Sequence, residues 1–172
     1  LVAVLSAASL LAIGASMTAF ADTPHWDQED GSWVYLDRNG DKVTDEWRKS
    51  NNQWYYLDSD GYMAVDQLVE SGDNLYYVDA NGVRVSNAWV SMDNDDLLDD
   101  DDVSTVWYYF DSNGRAVGYN DDEGDIARVN YGDGASGYFI FNGDGIMLRR
   151  WQEWDDTLYY LGDENEGWGG TG

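Results

Sequence analysis

The feature that most constrains this chain is a repeat held in one phase. Trp26, Trp47, Leu68 and Trp89 are evenly spaced along the sequence. Seven residues after each of the first three comes Trp33, Trp54 or Leu75, and seven further comes Gly40, Gly61 or Gly82. The second half of the pattern recurs as Trp107 to Gly114 and Tyr138 to Gly145, and Trp151 to Leu158 restores the first spacing. A fixed period of this kind marks an array of small supersecondary units, each unable to bury its apolar face alone.

Each copy reads as a β-hairpin. In Trp54-Tyr55-Tyr56-Leu57 every residue favours a strand. Asp58-Ser-Asp-Gly61 comes next as a tight turn with glycine where a positive φ is needed, and Tyr62 to Val65 is the expected return strand. Asp37 to Gly40, Asp79 to Gly82 and Asp111 to Gly114 repeat the turn. An isolated two-stranded hairpin is marginal in water, so the copies must stack. The expected fold is therefore all-β, a solenoid of stacked β-hairpins.

Period-two alternation assigns the rings to faces. One face carries Val34 with Leu36, Tyr55 with Leu57, Tyr76 with Val78, Tyr108 with Phe110, Phe139 with Phe141 and Tyr159 with Leu161, and is expected to form the stacking core. The opposite face carries Trp33 with Tyr35, Trp54 with Tyr56, Leu75 with Tyr77 and Trp107 with Tyr109, and is expected to line grooves between hairpins.

Composition matters at this point. The chain of 172 residues has a formal net charge of −25, no cysteine, and 26 aromatic residues (9 Trp, 13 Tyr and 4 Phe). Such acidity opposes contact with nucleic acid or an anionic membrane surface. The absence of cysteine excludes disulfides and thiolate metal sites. Acidic chains are commonly disordered, but those are poor in aromatics, and here the rings are abundant and phased. The acidic insertion at 92–104 reads as a solvated loop, and 118–137 reads as an irregular stretch, either a long loop or one degenerate hairpin.

Residues 1–21 carry no charge and end in Ala19-Phe20-Ala21, the small-x-small pattern of a cleavage site. They are expected to be a front-truncated secretory signal peptide, leaving 22–172 as a repeat domain of about six hairpin units with no membrane insertion after cleavage.

The strings Trp47-Arg-Lys-Ser-Asn-Asn-Gln-Trp54-Tyr-Tyr-Leu-Asp-Ser-Asp-Gly61-Tyr-Met63-Ala and Trp107-Tyr-Tyr-Phe-Asp-Ser-Asn-Gly114 resemble the cell-wall-binding repeats of the choline-binding and glucan-binding surface proteins of Gram-positive bacteria. The resemblance covers residues 26 to about 168, with a gap near 118–137. It implies ligand sites between neighbouring hairpins, each made from the first Trp of a repeat, the Trp opening its strand, and the second Tyr of the next strand, often with a Met as floor. Trp26, Trp33 and Tyr56 match these places, and so do Trp47, Trp54 and Tyr77, with Met63 in the Met place. Leu68 and Leu75 replace both Trp of the third copy, so Trp89, Trp107 and Trp151 stand as further candidates in incomplete sets. The implied partner is a cell-wall polymer, choline-bearing teichoic acid or glucan, and the implied location is the surface of a Gram-positive cell.

Elementary physics agrees with a cationic ligand. A quaternary ammonium has no hydrogen to donate, and an aromatic cage rewards it by roughly 0.5–2 kcal/mol per ring. Stacking alone also suits a neutral sugar, so choline and glucan both remain open, as does a purely structural or adhesive spacer. No catalytic site, cofactor or metal site is expected. His25 is the only histidine, and no pair among the 34 acids sits on a unique scaffold. The Asp-x-Asn/Asp-Gly turns lack the Glu that completes a Ca²⁺ loop, while weak Ca²⁺ binding by Asp99 to Asp102 stays open.

Overall fold

The computed structural model describes residues 23–161 apart from 95–96, 99–102, 122–123, 133–134 and 155–156. The expected signal peptide and Asp99 to Asp102 lie outside the described residues. Among the described residues all regular structure is β, in six two-stranded antiparallel hairpins. They are β1 (His25–Glu29) with β2 (Ser32–Leu36), β3 (Glu46–Ser50) with β4 (Gln53–Leu57), β5 (Gln67–Ser71) with β6 (Asn74–Val78), β7 (Ala88–Asp93) with β8 (Thr105–Phe110), β9 (Asp125–Gly132) with β10 (Ala135–Phe141), and β11 (Trp151–Trp154) with β12 (Thr157–Tyr160).

The strand expected at Trp54–Leu57 is present, but its partner differs from the one read off the pattern. It pairs with the strand before it, Trp47 lying opposite Tyr56 and Arg48 opposite Tyr55. The tight turn of this hairpin is Asn51-Asn52, both at positive φ (48° and 66°), the backbone twist that suits two-residue hairpin loops. Asp30-Gly31 does the same for the first hairpin, at φ 52° and 86°. Asp58 to Gly61 is indeed a turn, with the Asp58 carboxylate accepting the N–H groups of Asp60 and Tyr62 at 2.9 Å each. Beyond this turn lies a short return segment, forming single bridges such as Leu57 to Met63 and Val34 to Tyr62.

That return segment is the seam between hairpins. The Met63 N–H donates to the Trp33 carbonyl at 2.7 Å, while the next residue, Ala64, donates to Tyr56 of its own hairpin at 2.9 Å. The device repeats as Arg84 to Trp54, Ala116 to Leu75, and Met147 to Trp107, at 2.9, 2.8 and 2.8 Å. The separation in sequence between donor and acceptor is the same for Met63 and Trp33 as for Arg84 and Trp54. It is longer for Ala116 and Leu75, so the insertion between them is looped out without disturbing the seam.

The chain forms two compact units. One runs to Gln67 and takes in Val78–Arg84; the other comprises Leu68–Tyr77 and everything from Val85. In the first, Trp26, Tyr55 and Leu57 form the buried cluster, with Trp33, Tyr35, Met63 and Val83 packed against it. In the second, Leu75, Val106, Tyr108, Phe110, Ala116 and Ile146 do so. Burial on β8 alternates in step with the pleat, Val106, Tyr108 and Phe110 being buried.

The sharp division between a stacking face and a ligand face does not hold. Rings of the expected groove face cover the core face of the following hairpin: Trp26 meets Tyr55, Tyr77 meets Phe110, and Trp89 meets Phe139 and Phe141. A thin array has no depth in which to hide one face, so both faces must contribute. Leu75, expected in a groove, is accordingly core. Tyr159, expected in the core, is exposed.

The stretch 118–137 contains regular structure: β9 and β10 make the hairpin alternative, with a register shift at Ala135/Ser136. The insertion at 92–104 is anchored as well. Asn94 donates to the carbonyls of Leu98 and Val103 at 3.2 and 2.8 Å, and accepts from the Leu98 N–H at 2.7 Å. Leu98 packs against the second core.

Candidate functional site

The antiparallel register fixes how the site aromatics meet. The first Trp of a hairpin lies directly opposite the second Tyr of the same hairpin: Trp26 with Tyr35, Trp47 with Tyr56, Trp89 with Tyr109. Their ring centroids are 5.2, 5.1 and 5.2 Å apart, the range of favourable edge or tilted ring pairs. In two of these pairs the Trp ring also meets the following hairpin, Trp26 on Tyr55 and Trp89 on Phe139 and Phe141.

At the first junction Trp26 is 8% exposed and lies edge-on to Tyr55, at 5.5 Å and 71°. Trp33 and Met63 pack against the same cluster. Met63, expected with the Trp47–Trp54 set of its own hairpin, packs in the cluster that contains Trp26 and Trp33. The reason is the seam: a return segment bonds to the preceding hairpin as well as to its own. Tyr56, assigned by sequence to the first set, packs its ring on Trp47.

At the second junction the place corresponding to Met63 is held by Arg84. Its guanidinium carbon lies 5.4 Å from the ring centroids of both Trp47 and Trp54. The Lys49 ammonium is 5.6 Å from the Trp54 ring. Tyr77, the third expected member of this set, belongs to the other unit, where it stacks on Phe110.

The third junction has Leu68 and Leu75 in the Trp places, and the missing rings leave room. A cavity of about 380 Å³ opens there, lined among others by both leucines, Glu70, Tyr108, Tyr119 and Asp144. Glu70 accepts a hydrogen bond from the Tyr119 hydroxyl. Burial, with the nearby Asp144 carboxylate, pushes the Tyr108 hydroxyl up to about 12. At the fourth junction the return segment supplies Met147, whose N–H meets the Trp107 carbonyl while Trp89 packs on Phe139 and Phe141. The side chain of Trp151 lies outside the described residues.

The seam brings in two residues that the sequence pattern did not single out, Arg84 and Met147. The signal was available for Arg84, which stands as far beyond Trp54 in sequence as Met63 stands beyond Trp33.

Cations already lie on ring faces in the first unit. Lys42 sits 4.1 Å from the Tyr62 centroid and Arg48 lies 5.2 Å from Tyr35, besides Lys49 and Arg84. Lys42 is paired with Glu29 at 2.8 Å, and Arg48 with Glu46. Hydrogen bonds from these cations hold the Glu29 and Glu46 carboxyls below the usual range. Burial, then Asp45 and Asp58, raises the Tyr56 hydroxyl; burial, then Asp111, raises that of Tyr109. Among the described residues no group of three or more His, Cys, Asp or Glu side chains is placed to hold a metal ion, and no helix is long and apolar enough to cross a membrane.

Comparisons with known proteins fit this geometry. A family described as "Choline-binding repeat" matches residues 43–89, and one described as "Putative cell wall binding repeat" matches 103–116. No curated protein matches the chain. Among solved structures, CbpJ of Streptococcus pneumoniae TIGR4 is 28% identical with a TM-score of 0.53, over 78% of this chain and 39% of that one. Choline binding protein F of Streptococcus pneumoniae, solved in the presence of a peptidoglycan analogue, is 29% identical with a TM-score of 0.51, over 78% and 37%. The chain spans less than two fifths of the length of either structure. With its in-phase hairpins and these matches, the chain belongs to the cell-wall-binding repeat family of Gram-positive surface proteins.

Proposed function

We propose that this is a non-catalytic module that retains a secreted protein at the cell surface by holding the choline groups of a teichoic acid between its hairpins. The observation that carries the choline reading is the resident cations. Lys42, Arg48, Lys49 and Arg84 lie 4.1, 5.2, 5.6 and 5.4 Å from ring centroids, so the ring faces of the first unit are places where positive charge is favoured. A neutral sugar would draw nothing from that preference or from a net charge of −25. The ligand places are Trp26, Trp33 and Met63 at the first junction, and Trp89, Trp107 and Met147 at the fourth. Each is weak alone, and retention on a polymer comes from several acting together. The protein touches the cationic groups of the polymer and avoids its phosphates.

The test is retention of the full chain on an amine-bearing matrix. Free choline at about millimolar concentration elutes it if rings on this scale provide the affinity. Retention that resists choline and yields to soluble glucan sinks the choline reading in favour of carbohydrate binding, and no response to either leaves a structural spacer.

A further inference from the structure

We infer that Arg84 is a built-in occupant of the Trp47–Trp54 pair, a tethered cation that closes to external quaternary ammonium the junction whose two Trp residues look most complete in sequence. This deepens the reading of the aromatic junctions as cation sites and rests on it. Three independent features carry it. The guanidinium lies 5.4 Å from each of the two indole centroids, within the distance at which a cation gains from a ring face. The backbone fixes it there, since the Arg84 N–H donates to the Trp54 carbonyl at 2.9 Å and the residue bridges Val78. The same place in the preceding junction holds Met63, an uncharged side chain that sets no cation on the Trp26–Trp33 pair.

Arginine suits the role better than lysine. Its planar, weakly hydrated guanidinium stacks on an indole while losing little solvation. Tethering turns its contact into an intramolecular one, with an effective concentration of about millimolar or above that free choline must exceed. Lys49, 5.6 Å from the Trp54 centroid, adds a like charge against any cation entering there. The arrangement confines choline binding to other junctions and makes the number of sites on the chain smaller than the number of Trp pairs.

The experiment uses the full chain and Arg84→Met, which installs the residue type of the first junction. In the NMR spectrum of the wild type without ligand, the Arg84 δ-methylene protons are displaced upfield by the two rings; a random-coil position overturns the occupancy. Calorimetric titration with choline then counts sites. Arg84→Met gains one choline site over the wild type, tighter there by roughly five- to thirtyfold, the factor corresponding to two released ring contacts. A variant with unchanged site number and affinity, while the wild type does bind choline, overturns the exclusion. Should neither protein bind choline, the functional reading fails, while the upfield shift still decides the occupancy. If Arg84→Met fails to fold, Arg84→Gln provides the same count.

Discussion

The first two junctions share a Trp–seven–Trp spacing and lie one repeat apart, yet they are filled differently. At Trp26–Trp33 the return segment delivers Met63, and Trp26 sinks onto Tyr55 until 8% of it is exposed. At Trp47–Trp54 the same segment delivers Arg84, and both indoles stay half-buried beneath its charge. The two junctions differ in one side chain delivered by the return segment of the next hairpin, Met63 in the first and Arg84 in the second. A Met completes an apolar wall; an Arg supplies the cation.

The largest effect expected from breaking this contrast is on stability. Trp26→Ala removes a buried ring and costs about 3–5 kcal/mol in denaturant unfolding, whereas Trp47→Ala, cutting a half-buried ring, costs about 1–3 kcal/mol. Equal losses would erase the distinction between the two junctions. Next comes Gly82→Ala. Gly82 has φ +76°, and an added Cβ would meet the Met63 Cε at 2.8 Å and the Ala64 carbonyl oxygen at 3.0 Å. Strain and displacement of the Met63 floor together cost about 2 kcal/mol. Gly40→Ala, at φ +84° with nothing within 4 Å, carries the backbone strain alone and serves as the reference.

Titration separates the junctions further. Burial, then Asp79, raises the Tyr55 hydroxyl of the first junction; burial, then Asp45 and Asp58, raises that of Tyr56 beside Trp47. An acid whose folded pKa lies above its unfolded value contributes stability that is whole below the unfolded value, near 10 for Tyr, and is lost as pH rises through the folded one. Stability therefore falls above about pH 10, and Tyr55→Phe flattens that fall in unfolding curves measured across the range. The smallest effect belongs to Lys49→Ala. Loss of its exposed ammonium is expected to change stability by less than about 0.5 kcal/mol in the same unfolding experiment.

Much of this is legible in the residues. The alternation in Trp54–Leu57 announces a strand with Tyr55 and Leu57 inward, and both are buried. Gly61 does take a positive φ, of 80°. The strand partner is not legible, because Asn51-Asn52 and Asp58 to Gly61 are both turn signals and a repeat period cannot rank them. Placing Met63 needs the seam, a contact between hairpins that no local pattern encodes. Leu98 is hidden in sequence by the acidic run around it, since charge density points to solvent while Leu98 packs against the core of the second unit and Leu97 lines its cavity.

Junctions with a Met floor take choline, on this reading, and the junction holding Arg84 does not. Titration of the full chain with choline, followed through the indole N–H signals of its tryptophans, separates the two kinds of junction in one experiment. Saturable shifts are expected at Trp33 and Trp107 at about millimolar choline, with Trp47 and Trp54 unmoved. Shifts at Trp47 and Trp54 that match or exceed those at Trp33 and Trp107 would show that Arg84 does not occupy the site.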